Sequence, residues 1–269
     1  MVADTVSPPV PRDYHGVNWA GFRTLYLREV RRFWKVGTQT LAAPVVTALL
    51  YMMVFVVAAQ GAQPPVHGTA FAVFVAPGLI MMSILNNAFA NSSSSLLQAK
   101  MNGLMGDFLT PPLSPVEHVA AFALGAATRG VAVGLVTWLA VLPFVRLPMA
   151  HPWAVLYFGL GAALILGLLG IAAGLWAEKF DHMAAVTNFV VMPMTFLSGT
   201  FYLVERLPEP FRTFSRFNPF FYMIDGFRYG FIGHAESALA AGAVIVAGLV
   251  VSLACVCLWM FETGYKIKT

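Results

Sequence analysis

Six long apolar runs, at 40–59, 70–90, 119–145, 153–176, 184–201 and 238–261, carry one charge between them, Arg129. Each is near the roughly 20 residues that cross a bilayer as a helix. Lipid offers no hydrogen bonds, so a chain with such runs must satisfy its backbone internally, and runs of this length do so as helices. A soluble chain would be about 25% charged, whereas this one is 10% charged and 59% hydrophobic. The reading is an all-α integral membrane protein with six transmembrane helices. A cleaved leader is a poor account of the first run, because 39 residues precede it and it is itself 20 long.

Residues 1–16 are polar and Pro-rich and read as a mobile tail, leaving 17–269 as one transmembrane domain. Between 17 and 36, Trp19, Phe22, Leu25, Tyr26, Val30 and Phe33 recur near helical spacing, with Arg23, Arg28, Arg31, Arg32 and Lys35 mostly between them. That pattern describes a basic amphipathic helix lying in the membrane surface. Lys and Arg also orient the chain. Six in the amino-terminal segment, Lys100, Lys179, Lys266 and Lys268 fall on one side; Arg146, Arg206, Arg212, Arg216 and Arg228 fall on the other. Ten against five places both termini in the cytoplasm. The same distribution assigns the net charge of +4 to lipid head groups and topology, not to nucleic acid.

The 91–118 segment, NSSSSLLQAKMNGLMGDFLTPPLSPVEH, is the longest connection on the cytoplasmic side. Its Asn and Ser residues can end the second span by bonding its last carbonyls. Leu96 to Met105 can then form a short helix before Pro111, Pro112 and Pro115. The apolar content (Met101, Leu104, Met105, Phe108, Leu109) argues for an ordered knob that docks on a partner rather than a bare connector. Arg129 sits among small residues in the third span, where a charge must face protein or water. It either lines a path that attracts an anionic group or is a structural cation bound to a carbonyl. At 202–237 a Pro-rich amphipathic stretch leads into Asn218-Pro219 and an aromatic run. This suits an outer hairpin re-entering the bilayer between spans five and six, with Asp225 and Arg228 spaced for a local ion pair.

Other chemistries find no support. No G-x-x-x-x-G-K-[ST], G-x-S-x-G or H-E-x-x-H is present, the six histidines are scattered, and Cys255 and Cys257 read as packing residues, so no metal site is expected. A self-sufficient transporter or channel would be expected to carry intramembrane carboxylates, and the six runs contain none; an intramembrane enzyme would need a catalytic grouping at depth.

FVAPGLIMMSILNNAFAN, DFLTPPLSPVEHV, FLSGTFYLVERLP and FNPFFYMIDGFRYGFIG resemble the permease subunits of ABC-2 type ATP-driven exporters, in particular the small bacterial group of YadH-like permeases. The resemblance runs from about residue 21 to 269. It implies a bacterial inner-membrane subunit that is not itself an enzyme and holds no cofactor, the MgATP being bound by a separate cytoplasmic ATPase present in two copies. A second permease, expected as a homodimer, would complete the complex. The resemblance also implies alternating access that exports an amphiphilic or hydrophobic cargo. The coupling element maps to about 98–114, with Lys100, Met101, Leu104, Met105, Asp107, Phe108 and Leu109 facing the ATPase and Arg28, Arg31 and Arg32 assisting. Its NGLMGDFLTPP core departs from the family in having fewer charges. Asn86, Asn87, Arg129, Thr187, Asn188, Thr195 and Ser198 are candidates for the cargo path, or else polar ties between helices. Phe201, Asn218, Pro219, Asp225 and Arg228 are candidates for an outer gate, or else parts of a structural plug.

Overall fold

The computed structural model describes residues 16–58 and 68–266. Residues 1–15, 59–67 and 267–269, which include most of the expected tail and Lys268, lie outside the described residues. The described residues are mostly helical: α1 Trp19–Lys35, α2 Gly37–Ala58, α3 Phe71–Met101, α4 Met105–Leu109, α5 Pro115–Val141, α6 Pro152–Trp176, α7 Phe180–Val186, α8 Met192–Phe196, α9 Phe211–Phe217, α10 Pro219–Ile232 and α11 Leu239–Thr263. A π-turn, Thr187–Val191, joins α7 to α8, so helical backbone continues from Phe180 to Phe196. Among the described residues, five helices are long and apolar enough to cross a membrane: α2, α3, α5, α6 and α11.

The central helix is α3, which packs on α5, α6, α10 and α2. Its core runs through Ile80, Met81, Ile84, Leu85 and Ala88, which join Phe158, Leu166, Ile224 and Phe227 in one buried cluster. Small residues set the approach of its neighbours. A Cβ on Gly170 of α6 would lie 2.6 Å from the Phe89 carbonyl oxygen, and one on Gly130 of α5 would lie 2.9 Å from that of Ile84. Backbones this close need a missing side chain. At the margins the apolar surface stays open, with Val46, Leu50 and Met53 of α2 and Val244, Val251 and Trp259 of α11 exposed.

Local chemistry explains the starts of α1 and α5. Ser114 and Glu117 form a reciprocal capping box at α5, with Pro115 in its first turn. The same Glu117 carboxylate accepts the backbone N–H of Asn18, whose own side chain caps α1 through Gly21 N at 2.9 Å. One carboxylate thus pins the surface helix to the third span.

The polar run NSSSS does not end the helix, contrary to the sequence expectation. α3 continues through it to Met101, about 46 Å in all and longer than the ~30 Å hydrocarbon layer. The hydroxyls have partners that leave the helix intact: Ser92 Oγ donates to the Gly167 carbonyl at 2.6 Å, Ser94 Oγ to Ala90, and Ser95 Oγ to Glu29 at 2.8 Å. The turn comes later, at Gly103, with φ of +69°. α4 follows, and α5 begins at Pro115, earlier than the residue 119 expected.

Candidate functional site

Three polar regions lie along α3. At its α4 end, the knob is firmly held. Phe108 is buried against Phe122, with the Arg28 guanidinium 4.0 Å above its ring, and the Phe108 carbonyl lies 2.7 Å from His118 Nε2. Lys100 turns inward, donating to the Leu175 and Ala177 carbonyls at the end of α6, a favourable place for a cation. Met105 is buried too, while Met101 (50% exposed), Leu104 (45%) and Asp107 face outward, as do Arg28 and Arg31. Leu109 closes α4. The expected coupling residues therefore divide into an anchor and a presented surface.

Further along α3, Arg32 leaves the knob and reaches into the helix. It donates to the Asn91 carbonyl at 2.5 Å, to Asn91 Oδ1 and to Ser94 Oγ, each at 3.1 Å, and lies 3.4 Å from the Glu29 carboxylate. Glu29 is completely buried and was missed from the sequence. Its signal was present: Leu25, Glu29 and Phe33 share one face of α1, so the acid lies on the apolar stripe. Arg129 Nη2 donates to Asn87 Oδ1 at 3.2 Å. No acidic partner is found for Arg129 among the described residues, and the Nε atoms of both arginines are buried without a hydrogen bond.

Arg32, Arg129, Asn87, Ser94 and Gln98 line a cavity of about 550 Å³ between α1, α2, α3 and α5. It shares Ala43, Pro44, Asn87 and Ser94 with a cavity of about 480 Å³ bounded by α2, α3 and the α7–α8 helix. That second cavity is mostly apolar and includes Tyr51, Leu79, Met82 and Phe89, with Asn86 and Thr187 on its wall. Other expected path residues lie elsewhere. Asn188 is exposed, while Thr195 and Ser198 are buried and donate to the Val191 and Thr195 carbonyls.

At the other end of α3, the 197–238 segment folds against the bundle. Phe201 stacks on Phe55 at 4.3 Å, and Asn218 caps α10 through Phe220 N while donating to the Met194 carbonyl at 2.6 Å, with Pro219 in the first turn. Arg228 does not pair with Asp225, as their spacing suggested. The Arg228 guanidinium lies 3.9 Å over the Phe74 ring, donates to the Phe74 carbonyl at 3.2 Å and the Gly199 carbonyl at 2.7 Å, and sits 3.5 Å from Glu236. Asp225 accepts instead from the backbone of Glu236 and Ser237 and from the Ser237 hydroxyl. The left-handed cap at Gly233 turns the chain so that Glu236 folds back over α10, where it also accepts Val204 N at 2.8 Å. Burial pushes the Glu236 carboxyl up to about 7; Arg228 opposes the shift and Asp225 adds to it.

Comparison with known proteins agrees with this architecture. The ABC-2 type transporter family model matches residues 20–232. The inner membrane transport permease YadH of Escherichia coli K12 is 32% identical over 252 residues, covering 93% of this chain and 98% of that protein. Nodulation protein J of Rhizobium leguminosarum bv. viciae is 27% identical over 62% of this chain and 65% of its own. This chain belongs to the ABC-2 type transporter family.

Proposed function

We propose that the chain is the membrane-spanning permease subunit of an ATP-driven exporter in a bacterial inner membrane, with both termini cytoplasmic. Six crossings follow if the Phe180–Phe196 helical stretch spans together with the five long helices, and the 197–238 segment then forms the outer re-entrant hairpin. A separate ATPase, in two copies, engages a permease dimer, and the cargo is amphiphilic or hydrophobic. The observation that carries the reading is the α4 knob. It offers exposed Met101 and Leu104 on a base fixed by Phe108, His118 and Lys100. A rigid knob can pass a partner's movement to α3 and α5, and a ligand shifts such an equilibrium only by binding its two states differently.

The test is affinity purification of the chain from its host membranes, followed by an ATPase assay, with the double variant Met101→Asp, Leu104→Asp. Both side chains are exposed, so the fold should survive. An ATPase is expected to co-purify with the unmodified chain and to be lost, or uncoupled from transport, in the variant. A chain that purifies alone and moves solute into vesicles without ATP would overturn the proposal.

A further inference from the structure

The cavity between α1 and α3 is lined by two guanidinium groups and by no carboxylate, and the cavity adjoining it is mostly apolar. Arg32 has Glu29 at 3.4 Å; no acid lies within ion-pair distance of Arg129 among the described residues. The cluster therefore keeps an excess positive charge, with two buried guanidinium nitrogens still unbonded. Buried cations in membrane proteins pair with counter-charges or mark the route of a charged substrate. Here Gln98 and the second amide N–H of Asn87, whose first donates to the Ser83 carbonyl, share the charged cavity, and they can add donors to the shell of an oxyanion. From this end the joined space follows α3 from Leu97 back to Leu79, about 27 Å at 1.5 Å per residue, between mostly apolar walls. Each of the two volumes falls within the range of small-molecule sites.

We infer that this pair of cavities binds an anionic amphiphile as cargo, its phosphate-type head held by Arg129 and Arg32 and its single hydrocarbon chain lying along α3 between α2 and the α7–α8 helix. The inference rests on the export reading and gives its cargo a chemical class. Head-group charge decides affinity at one end, and chain length at the other.

The experiment is equilibrium binding of dodecyl phosphate to the full chain in phosphatidylcholine nanodiscs, against dodecanol and dodecyltrimethylammonium. The unmodified protein should bind dodecyl phosphate saturably and prefer it to both others. Arg129→Gln should weaken the phosphate about tenfold or more, with Arg129→Lys in between and dodecanol unchanged. Equal binding of the three probes to the unmodified protein overturns the inference without any variant that must fold. So does unchanged phosphate binding in a folded Arg129→Gln protein. Full displacement by phosphatidylglycerol at ordinary bilayer fractions would make this a resident-lipid site and would overturn the cargo assignment. The ATPase is absent throughout, so failure here leaves the co-purification result standing.

Discussion

Two Arg–Glu pairs lie near opposite ends of α3, one fully buried and one with a partly exposed arginine. At the 197–238 end, Arg228 is 2% exposed, lies over the Phe74 ring and donates to carbonyls of two separate segments. At the α1 end, Arg32 and Glu29 are bonded to α3, yet Arg32 and Arg129 keep unbonded nitrogens at the edge of a cavity. A cation that binds carbonyls of separate segments holds those segments together, even though Glu236 Oε1 opposite it has no hydrogen bond. An unsaturated one beside open space is equipped to take up something else. The comparison favours a structural bolt at the 197–238 segment and a binding role near α1.

The largest expected effect comes from breaking the bolt. Arg228→Met removes the donor to the Phe74 and Gly199 carbonyls and strands Glu236. Removing one partner of a buried pair costs about 3–5 kcal/mol. Thermal unfolding in detergent should show a large drop in midpoint, partly recovered in the double variant Arg228→Met, Glu236→Gln, since coupled groups are not additive. An unchanged midpoint for the single variant would mean the 197–238 segment is not fastened there. At the α1 end, Glu29→Ala takes an acceptor from Ser95 and the acid from Arg32. The cost should be smaller, about 2 kcal/mol, because the Arg32 side chain is a quarter exposed and keeps its bonds to Asn91. Equal losses at both ends would erase the proposed difference.

The Arg228–Glu236 pair also has a pH signature. The Glu236 carboxyl sits at about 7, against an ordinary 4.5. A raised folded-state value means the native protein binds more protons than the unfolded chain between those limits. Stability should therefore fall as pH rises from about 4.5 to about 7 and level off above, at no more than about 1.4 kcal/mol per pH unit. Unfolding midpoints from pH 5 to 8 would show it, and Glu236→Gln should flatten the slope. A slope that survives that substitution belongs to another group.

The long helices were legible because their cause is local: apolar length and the absence of charge are written in consecutive residues. α1 and α11 fall within two residues of expectation for that reason. The NSSSS run misled because local chemistry allows a helix end, and only Gly167 and Glu29, distant in sequence, keep those hydroxyls within a continuing helix. The Asp225–Arg228 spacing misled in the same way, since a turn at Gly233 brought in a better-placed acid eight residues away. The polar sites were thus legible as residues but not as partnerships. Arg32, which the resemblance implies as an aid to coupling, lines one cavity with Arg129, which had been considered for an anion path.

The smallest effect expected is at Lys266, and it sharpens the contrast by removing burial from it. Lys266 Nζ lies 2.7 Å from Glu178, shorter than the ion-pair distance at either end of α3. Their hydrogen bond pulls the Glu178 carboxyl down and the Lys266 ammonium up. Both side chains, however, stand in open surroundings, where solvent and salt screen the attraction and two long side chains lose freedom in meeting. Lys266→Ala should leave the unfolding midpoint within error at physiological salt, and a slight difference should emerge only at low ionic strength, where screening is weak. A clear loss at physiological salt would mean that distance, not burial and completed hydrogen bonding, ranks the ion pairs of this protein, and the distinction drawn between the two ends of α3 would fall with it.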